Sequence, residues 1–536
     1  MSAFRLNNLV VRRSVMYRVV LGFIALLYWG FNMLILVKLH NPYYMIADYS
    51  DFPEIAILIL LFGSAVYFAQ QPSVLEEACF VPKHKIAVAK LMSLLWCNLV
   101  LLLNPLLYIG VMSVVEKTSL LFCALVMVRV VIRWLQIMLV AQVLGFFIGY
   151  FLRNMYAYLC SVLIAVLFSF LNETIFSFLP LSETVSMLLS QFLSLNKEFA
   201  AALQVEYAGA LTTGYHWMKL LTLLFLAIGV INTMVFILKK HRRGSNLIAY
   251  LPIALGLFVG ISGYVHAFPQ IYDPMQKLSS GFRTDAPYHI ASYTGTLELH
   301  ETISGEIDFT VSSRTEGAFT PLSLKLDEAF AVSQLCINDV PVAFERQGDY
   351  LLVTDETVLT PAPLSVHIAY RGRVSYINDI KSPNIFSSAF AAALPPEFAF
   401  LPLIDGDVAE HAFDLRVNAN NTVISNLDLV QEDQNTFLLR GTAQTAAIFV
   451  GFLTSEVDAA TGVTVYHASY LNREVFWKEL QSLSDRPIMD WQTLQEVALP
   501  DLQYAKVFLI YNSYYNYNTA VAYDDYIMLN TNNAYR

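Results

Sequence analysis

Long apolar runs dominate the first half of the chain, whereas apolar and polar residues alternate in the second half. A helix needs about 20 consecutive apolar residues to cross the hydrocarbon core of a bilayer. By this criterion we predict seven transmembrane helices, at residues 17–37, 54–70, 91–113, 120–150, 156–179, 217–238 and 247–267. The run 120–150 is longer than one span requires, so we expect it to tilt, break or extend beyond the lipid. Asn104-Pro105 is expected to kink the third span, because proline cannot donate a helical hydrogen bond.

The second half has the pattern of short β-strands. From about residue 290 the period is two, as in SYTGTLELHETISGEIDFTVSSR (292–314), and half-buried strands alternate in this way. Many short strands separated by turn-forming residues favour a β-sandwich. Near the C-terminus, residues 473–498 are predicted to be helical, and AKVFLIYN (505–512) is predicted to be a buried strand.

The charge distribution also divides the chain in two. Residues 1–267 contain 18 Lys/Arg and 10 Asp/Glu, a net charge of +8, whereas residues 268–536 contain 15 and 33, a net charge of −18. Cytoplasmic loops carry an excess of Lys and Arg, and here that excess lies in segments 1–18, 71–90 and 239–246. A cytoplasmic N-terminus followed by seven spans places residues 268–536 on the extracytoplasmic side of the plasma membrane.

These patterns together predict the fold class. It is a polytopic α-helical membrane domain of about seven spans plus an extracytoplasmic all-β sandwich with a short α/β C-terminal extension. The predicted boundaries are a six-span membrane domain at 1–243, a seventh transmembrane helix at 244–267, a linker at 268–289, the sandwich at 290–460 and the extension at 461–536.

Two arginines stand inside the long apolar run. Arg129 and Arg133 are four residues apart and therefore share one helix face. They either line a polar translocation path or subunit seam, or extend their charged ends to an interface. Residues 181–213, between the fifth and sixth spans, repeat apolar residues every three to four positions. This pattern predicts an amphipathic helix at the outer interface or a short cap packed on the bundle.

A resemblance to a known family comes from QPSVLEEACFVPKHKIAVAKLMSLL (71–95). An acidic pair, a short apolar stretch, a proline and basic residues precede a lysine that opens the next span. This segment resembles the cytoplasmic loop between spans two and three of ABC-2 type transporter permeases, and the resemblance covers about residues 1–243. It implies docking of the loop and the N-terminal segment on cytoplasmic ATPase subunits. The implied docking residues are Glu76, Glu77, Pro82, Lys83 and Lys85, and a solvated loop is the alternative.

The same resemblance implies a transporter built from several chains, with ATP hydrolysis on a chain other than this one. The sequence contains no Gly-Lys dipeptide, so it has no G-x-x-x-x-G-K-[ST] phosphate-binding loop. ATP and Mg²⁺ are therefore expected on the partner ATPase subunits, and no cofactor is predicted for this chain. A second permease subunit, identical or different, is also expected.

Four segments of the second half resemble the N-terminal β domain of M1-family zinc aminopeptidases. They are IAYRGRV (368–374), FLPLIDGD (400–407), HAFDLRVNANNTVISN (411–426) and AIFVGFLTSEV (447–457). The residues after 460 resemble the opening of the catalytic domain that follows in that family.

The zinc site of that family requires His-Glu-x-x-His on a helix. The only His-Glu pair here is His300-Glu301, which lacks the second histidine and is predicted to lie in a strand. No G-x-S-x-G serine hydrolase motif is present either. We therefore predict no catalytic residues, no metal site and no enzymatic activity for this chain.

A tyrosine-rich segment, YNSYYNYNTAVAYDDY (511–526), lies near the C-terminus. Tyrosine suits adaptable contact surfaces, so a possible outer contact surface comprises Tyr511, Tyr514, Tyr515 and Tyr517. An edge strand and loop packed on the sandwich is the alternative interpretation. The five cysteines show neither metal-binding nor disulfide spacing.

The leading functional prediction is a membrane permease subunit that exports an amphipathic substrate, such as a peptide or a lipid. The outer domain would then bind cargo or gate its exit without catalysis. One alternative is a mechanotransmitting or sensing subunit that moves its outer domain without transport. Another is a membrane anchor for a separate peptidase-like chain. All three place the chain in a lipid bilayer, and none involves nucleic acid.

Overall fold

A computed structural model gives the structure of the chain. It describes residues 3–39, 51–72, 82–115, 120–180 without 153 and 170, parts of 186–195, 214–239, 246–267, 270–271, 287–314, 321–457 with short gaps, 464–468, 506–509, 520–522 and 526–529. The chain divides into two compact units. We call the unit that holds most of residues 1–268 the helical unit, and the unit that holds residues 269–536 the sheet unit.

The described helices of the helical unit are α1 (Ala3–Arg13), α2 (Val15–Leu39), α3 (Asp51–Gln70), α4 (Lys83–Asn98), α5 (Leu103–Val115), α6 (Leu120–Phe151), α7 (Met155–Leu167), α8 (Asn172–Ser177), α9 (Gly214–Lys239) and α10 (Asn246–Ala267). A single 3₁₀ turn, Leu99–Leu102, connects α4 to α5.

Among the described residues, four helical segments are long and apolar enough to cross a membrane: Val15–Leu34, Lys83–Val114, Cys123–Phe151 and Trp217–Lys239. Three shorter apolar helices are Ile55–Gln70, Met155–Leu167 and Tyr250–Gly260. A membrane part is therefore supported, but the predicted count of seven spans is not. The predicted span 156–179 differs most, because α7 ends after 13 residues and a turn separates it from the six-residue α8.

The third predicted span contains the irregularity expected at its proline. Pro105 has no N–H to donate to the carbonyl of Leu101, and the 3₁₀ turn lies just before it. Asn104 compensates for the missing bond, since its Nδ2 donates to Leu101 O at 3.2 Å. Its Oδ1 accepts a hydrogen bond from Trp29 Nε1, also at 3.2 Å.

Glycines allow close helix contacts in this unit. Gly145 and Gly149 form a small-xxx-small pair on α6, and a Cβ on Gly149 would lie 2.6 Å from Val66 Cα of α3. On α9, a Cβ on Gly229 would lie 2.2 Å from Ile253 Cγ1 of α10. The helices can therefore approach each other only because these positions have no side chain.

The described strands of the sheet unit are β1 (Gln270–Ile271), β2 (Tyr288–Leu299), β3 (Ile303–Ser313), β4 (Leu322–Lys325), β5 (Phe330–Ile337), β6 (Val340–Pro341), β7 (Glu345–Gln347), β8 (Tyr350–Val353), β9 (Leu364–Gly372), β10 (Ser375–Ile377), β11 (Pro383–Ser387), β12 (Ala392–Leu394), β13 (His411–Ala419), β14 (Thr422–Ser425), β15 (Asp428–Asp433), β16 (Thr436–Ala443), β17 (Ile448–Gly451), β18 (Leu453–Val457), β19 (Thr464–Ala468), β20 (Lys506–Leu509), β21 (Ala520–Ala522) and β22 (Tyr526–Leu529).

These strands form four sheets. The largest has the order β15-β16-β13-β2-β3-β9-β5-β6, and a six-stranded sheet has the order β1-β10-β11-β12-β17-β14. A three-stranded sheet has the order β4-β8-β7, and its side chains share one hydrophobic core with those of the two larger sheets. Alternate residues of β9 and β13 are buried, as the period of two predicts.

Within the large sheet, β2 and β13 are parallel neighbours, although they lie more than 100 residues apart in the chain. Next to this pair, Gly305 of β3 lies opposite Tyr370 of β9. The hydroxyl of Tyr370 donates to the carbonyl oxygen of Phe400. Strand β9 ends at Gly372, the last residue of the Tyr-Arg-Gly segment 370–372.

The described part of the C-terminal extension belongs to a five-stranded sheet with the order β18-β19-β20-β22-β21. Strand β20 lies within the predicted strand 505–512, and its Phe508 is fully buried. Strands β19, β20 and β22 run parallel. The predicted helical passage 473–498 lies outside the described residues.

Candidate functional site

The predicted docking loop ends at the start of α4. Pro82, Lys83 and Lys85 are described and exposed to solvent, whereas Glu76 and Glu77 lie outside the described residues. The two lysines are therefore accessible to a partner, and docking itself stays a prediction.

The N-terminal helix α1 packs directly on α4. Ser93 Oγ of α4 donates to Phe4 O of α1 at 3.1 Å, and Cys97 Sγ contacts Asn8 Oδ1 at 3.0 Å. Val11 of α1 is buried in the same hydrophobic cluster as α4 residues. The N-terminal segment thus packs on the helix that begins at the end of the predicted docking loop.

Two side chains hold the ends of neighbouring helices together at this end of the helical unit. Lys90 Nζ of α4 donates to Gln71 O at 2.8 Å, so it joins the two sides of segment 71–90. Gln70 Nε2 donates to Leu152 O at 3.1 Å, just after α6. The end of α3 and the end of α6 therefore lie next to each other.

The two predicted arginines lie inside the helical unit. Arg129 is 2% exposed and Arg133 is 4% exposed, and Gln136 and Gln142 of the same helix are fully buried. Burial differs from the interpretation in which both arginines reach an exposed interface. A buried guanidinium is expensive to desolvate, so these side chains constrain how α6 packs. Their role in a path or seam stays a prediction.

A buried polar cluster lies at the break between α7 and α8. Asn172 Nδ2 donates to Leu167 O at 3.0 Å and to Ser190 O at 3.2 Å, and Ser190 Oγ donates to Asn172 Oδ1 at 2.8 Å. Asn172 is fully buried. It therefore donates to the last carbonyl of α7, that of Leu167, which the end of the helix would leave without a helical partner in an apolar environment.

A buried lysine supports the same break from α9. Lys219 is 6% exposed, and its Nζ donates to Ser194 O. Leu195 N donates to Phe168 O at 2.9 Å, which pairs the segment with the end of α7. Ser190, Ser194 and Leu195 belong to the segment 181–213 that we predicted to be an amphipathic helix or cap, most of which lies outside the described residues.

The structure describes His300 of the sheet unit but not the predicted tyrosine contact surface. Tyr511, Tyr514, Tyr515 and Tyr517 lie outside the described residues, so the contact surface stays a prediction. His300 was predicted to lie in a strand, but it occupies the bend that follows β2, where its Nε2 lies 3.6 Å from a carboxylate oxygen of Glu298. The described residues around it do not form the His-Glu-x-x-His helix of a zinc peptidase.

An ion cluster that sequence reasoning missed lies where β2 and β13 begin. Asp407 is 2% exposed in its side chain, and its Oδ1 lies 3.0 Å from His289 Nδ1 and 2.8 Å from Arg314 Nη2. Its Oδ2 accepts the backbone N–H of Ile290 at 2.8 Å. His411 Nδ1 pairs with Ile290 O, and His411 Nε2 lies 4.0 Å from Asp407 Oδ2.

Topology explains how the cluster forms. Parallel strands begin at the same edge of a sheet, so His289 near the start of β2 meets His411 at the start of β13. Burial lowers the pKa of His411, an effect that its bond to the Ile290 carbonyl opposes. The only sequence signal was the spacing of four between Asp407 and His411, which a search for His-Glu-x-x-His does not find.

Comparison with solved structures finds M1-family enzymes. The chain is similar to native leukotriene A4 hydrolase from Saccharomyces cerevisiae, with 15% identity, 46% of this chain and 41% of that chain covered, and a TM-score of 0.32. It is also similar to an M1 zinc metallopeptidase mutant from Deinococcus radiodurans, with 16% identity, 45% and 60% covered, and a TM-score of 0.32. The chain thus spans less than two thirds of either protein.

No protein-family model matches the chain, and no curated protein matches its sequence. The solved structures belong to the family predicted from the four segments of the second half. With TM-scores below 0.5, neither the activity nor the zinc site of those enzymes is transferred to this chain.

Proposed function

We propose that this chain is the membrane permease subunit of an ABC-type transporter, driven by a separate cytoplasmic ATPase. It exports an amphipathic substrate such as a peptide or a lipid, and its sheet unit binds cargo or gates its exit on the extracytoplasmic side. The apolar helices, the charge difference between the two halves and the lack of a phosphate-binding loop in the sequence support this proposal.

One observation carries the proposal further than composition does. The N-terminal helix α1 packs on α4, which begins at the exposed Lys83, and Lys90 joins α4 to the end of α3. An ATPase that pressed on this surface would move α1, α3 and α4 together. A structure of this kind can convert nucleotide-driven closure into movement of membrane helices.

The test is copurification of the tagged full-length chain from its native membrane. We expect an ABC ATPase subunit in the purified complex. Replacing Lys83 and Lys85 by Glu should reduce its recovery about tenfold or more, because like charges disfavour association. Replacing both by Arg preserves the charge and should leave recovery unchanged. If no ATPase subunit copurifies, or if the chain alone hydrolyses ATP, the proposal is wrong.

A second candidate function, mechanotransmission without cargo, is favoured by the contact between α9 and α10. A Cβ on Gly256 would lie 2.9 Å from Phe225 Cβ, and one on Gly260 would lie 2.7 Å from Thr222 Cγ2. Such close packing transmits displacement of α9 to α10 with little loss. This function predicts that ATP changes hydrogen exchange in the sheet unit of the reconstituted complex while no cargo crosses. Transport without such a change would exclude it.

A further inference from the structure

We propose that the cluster of His289, Asp407 and His411 binds one divalent metal ion that prefers imidazole and carboxylate ligands, such as Zn²⁺. One ligand atom from each of the three residues lies within 4.8 Å of the other two. Ligands 2.0–2.2 Å from a tetrahedral zinc ion are themselves about 3.3–3.6 Å apart. Small rotations of the side chains therefore suffice to close the site around an ion. This proposal does not depend on the proposed transport function.

The backbone of one residue orients two of the three ligands. Ile290 N–H donates to Asp407 Oδ2, and Ile290 O pairs with His411 Nδ1. The proton on Nδ1 leaves the lone pair of His411 on Nε2, which faces Asp407 at 4.0 Å. Histidines that bind metals are held in this way, with the second ring nitrogen donating to a carbonyl or carboxylate.

The third ligand is His289, near the start of β2. Its Nδ1 lies 3.0 and 3.1 Å from the two oxygens of Asp407, so the proton between them occupies the position that a metal ion would take. A metal ion in this position would be bound by Nδ1 of the neutral imidazole, whose remaining proton would be on Nε2. The side chain of His289 is 25% exposed, which gives an ion access to the cluster.

Arg314 distinguishes a metal site from an ion pair that only stabilises the fold. Its Nη2 lies 2.8 Å from Asp407 Oδ1, and its side chain is 38% exposed. A fixed positive charge beside the carboxylate repels a divalent ion. Removing it should therefore strengthen metal binding, even though it removes an ion pair from the folded protein.

The test uses the purified full-length chain in detergent after treatment with EDTA. We expect about one equivalent of Co²⁺ to bind with visible d–d absorption bands and to be displaced by Zn²⁺. His289→Gln should weaken Zn²⁺ binding at least about tenfold, and Arg314→Gln should strengthen it. His367→Gln is the matched control, since His367 on the same sheet lies 2.8 Å from Asp308, and the described residues around that pair supply no third ligand.

The fold of each variant is checked by the reactivity of Cys336, which is buried in the sheet unit. If the wild-type chain binds no Co²⁺, the proposal is overturned. It is also overturned if His289→Gln with a protected Cys336 binds as the wild type does, or if His367→Gln weakens binding equally. If His289→Gln exposes Cys336, the Arg314→Gln variant tests the proposal instead. Weaker metal binding in Arg314→Gln than in the wild type would contradict a metal site.

Discussion

The contact between Gly305 and Tyr370 gives a quantitative test of the large sheet. A Cβ built on Gly305 would lie 2.4 Å from Tyr370 Cζ and 2.5 Å from its hydroxyl oxygen, where ordinary contacts are 3.4–4 Å. In Gly305→Ala the ring must therefore move by about 1 Å, in a core of native packing density. This movement also breaks the hydrogen bond from Tyr370 to the buried carbonyl of Phe400.

The energetic costs of overpacking and of the lost hydrogen bond can be estimated separately. Overpacking a core costs about 1–3 kcal/mol, and a buried hydrogen bond lost with its acceptor unsatisfied costs about 1–3 kcal/mol. We expect Gly305→Ala to lower the free energy of unfolding of the sheet unit by about 3 kcal/mol. Since about 1.4 kcal/mol corresponds to a factor of ten, the population of the open state should rise about 100-fold.

Thiol labelling of Cys336 measures this population in the full-length chain. Cys336 is 5% exposed in β5, so a reagent reaches it only when the sheet opens. Its labelling rate, followed by mass spectrometry of the peptide, should rise about 100-fold in Gly305→Ala. Gly348→Ala is the control, because Gly348 has φ +59° and no atom within 4 Å of an added Cβ. Its cost should be about 1 kcal/mol, from backbone strain alone.

A second variant tests whether the contact at Gly305 and the hydrogen bond of Tyr370 are coupled. Tyr370→Phe removes the hydrogen bond and keeps the ring, so Gly305→Ala should cost less in that background than in the wild type, by about 1 kcal/mol or more. Equal costs in both backgrounds would show that the hydrogen bond is independent of the contact. A labelling rate within about threefold of the wild type for Gly305→Ala would refute the steric argument.

Three further predictions concern other parts of the molecule. Asn172→Leu should lower the thermal midpoint of the full chain in detergent, because buried carbonyls at the break lose their donor; an unchanged midpoint would contradict the role of this cluster. Asp428→Asn should cost at most about 0.5 kcal/mol, since Asp428 is 76% exposed. Lys506→Met should cost more by the same thiol assay, because the buried stem of Lys506 also carries a donor to a backbone carbonyl. Equal effects would contradict this ranking. Burial raises the pKa of Tyr370 and Tyr376 above the ordinary value near 10, so the stability they contribute is present below about pH 10 and is lost as the pH rises above it. Circular dichroism should therefore show a thermal midpoint of the sheet unit that falls as the pH rises above about 10, and an unchanged midpoint would contradict this expectation.

Local features of the sequence predicted much of the sheet unit. The period of two corresponds to the alternating burial of β9 and β13. Asn104-Pro105 marked an irregular helix, and the structure has a 3₁₀ turn just before it. These predictions succeeded because each depends on the chemistry of a few neighbouring residues.

Features that depend on distant residues were not predictable in this way. Hydropathy measures the cost of transferring each residue to lipid, but it does not show where backbone hydrogen bonds stop. The hydropathy of segment 156–179 therefore predicted one span. In the structure α7 ends at Leu167, and the side chain of Asn172 donates to the Leu167 carbonyl. The ion cluster required the parallel pairing of β2 with β13, and no local pattern encodes that pairing.

The glycines between α9 and α10 also bear on how the protein is made. The ribosome synthesises α9 before α10. Because Gly229 has no side chain, α10 can pack closely on α9 and replace its lipid contacts with contacts to that helix. We expect the two helices to enter the bilayer as a single hairpin. Under the proposed orientation, in which the sheet unit is extracytoplasmic, the acidic half of the chain would cross the membrane only after that hairpin has formed.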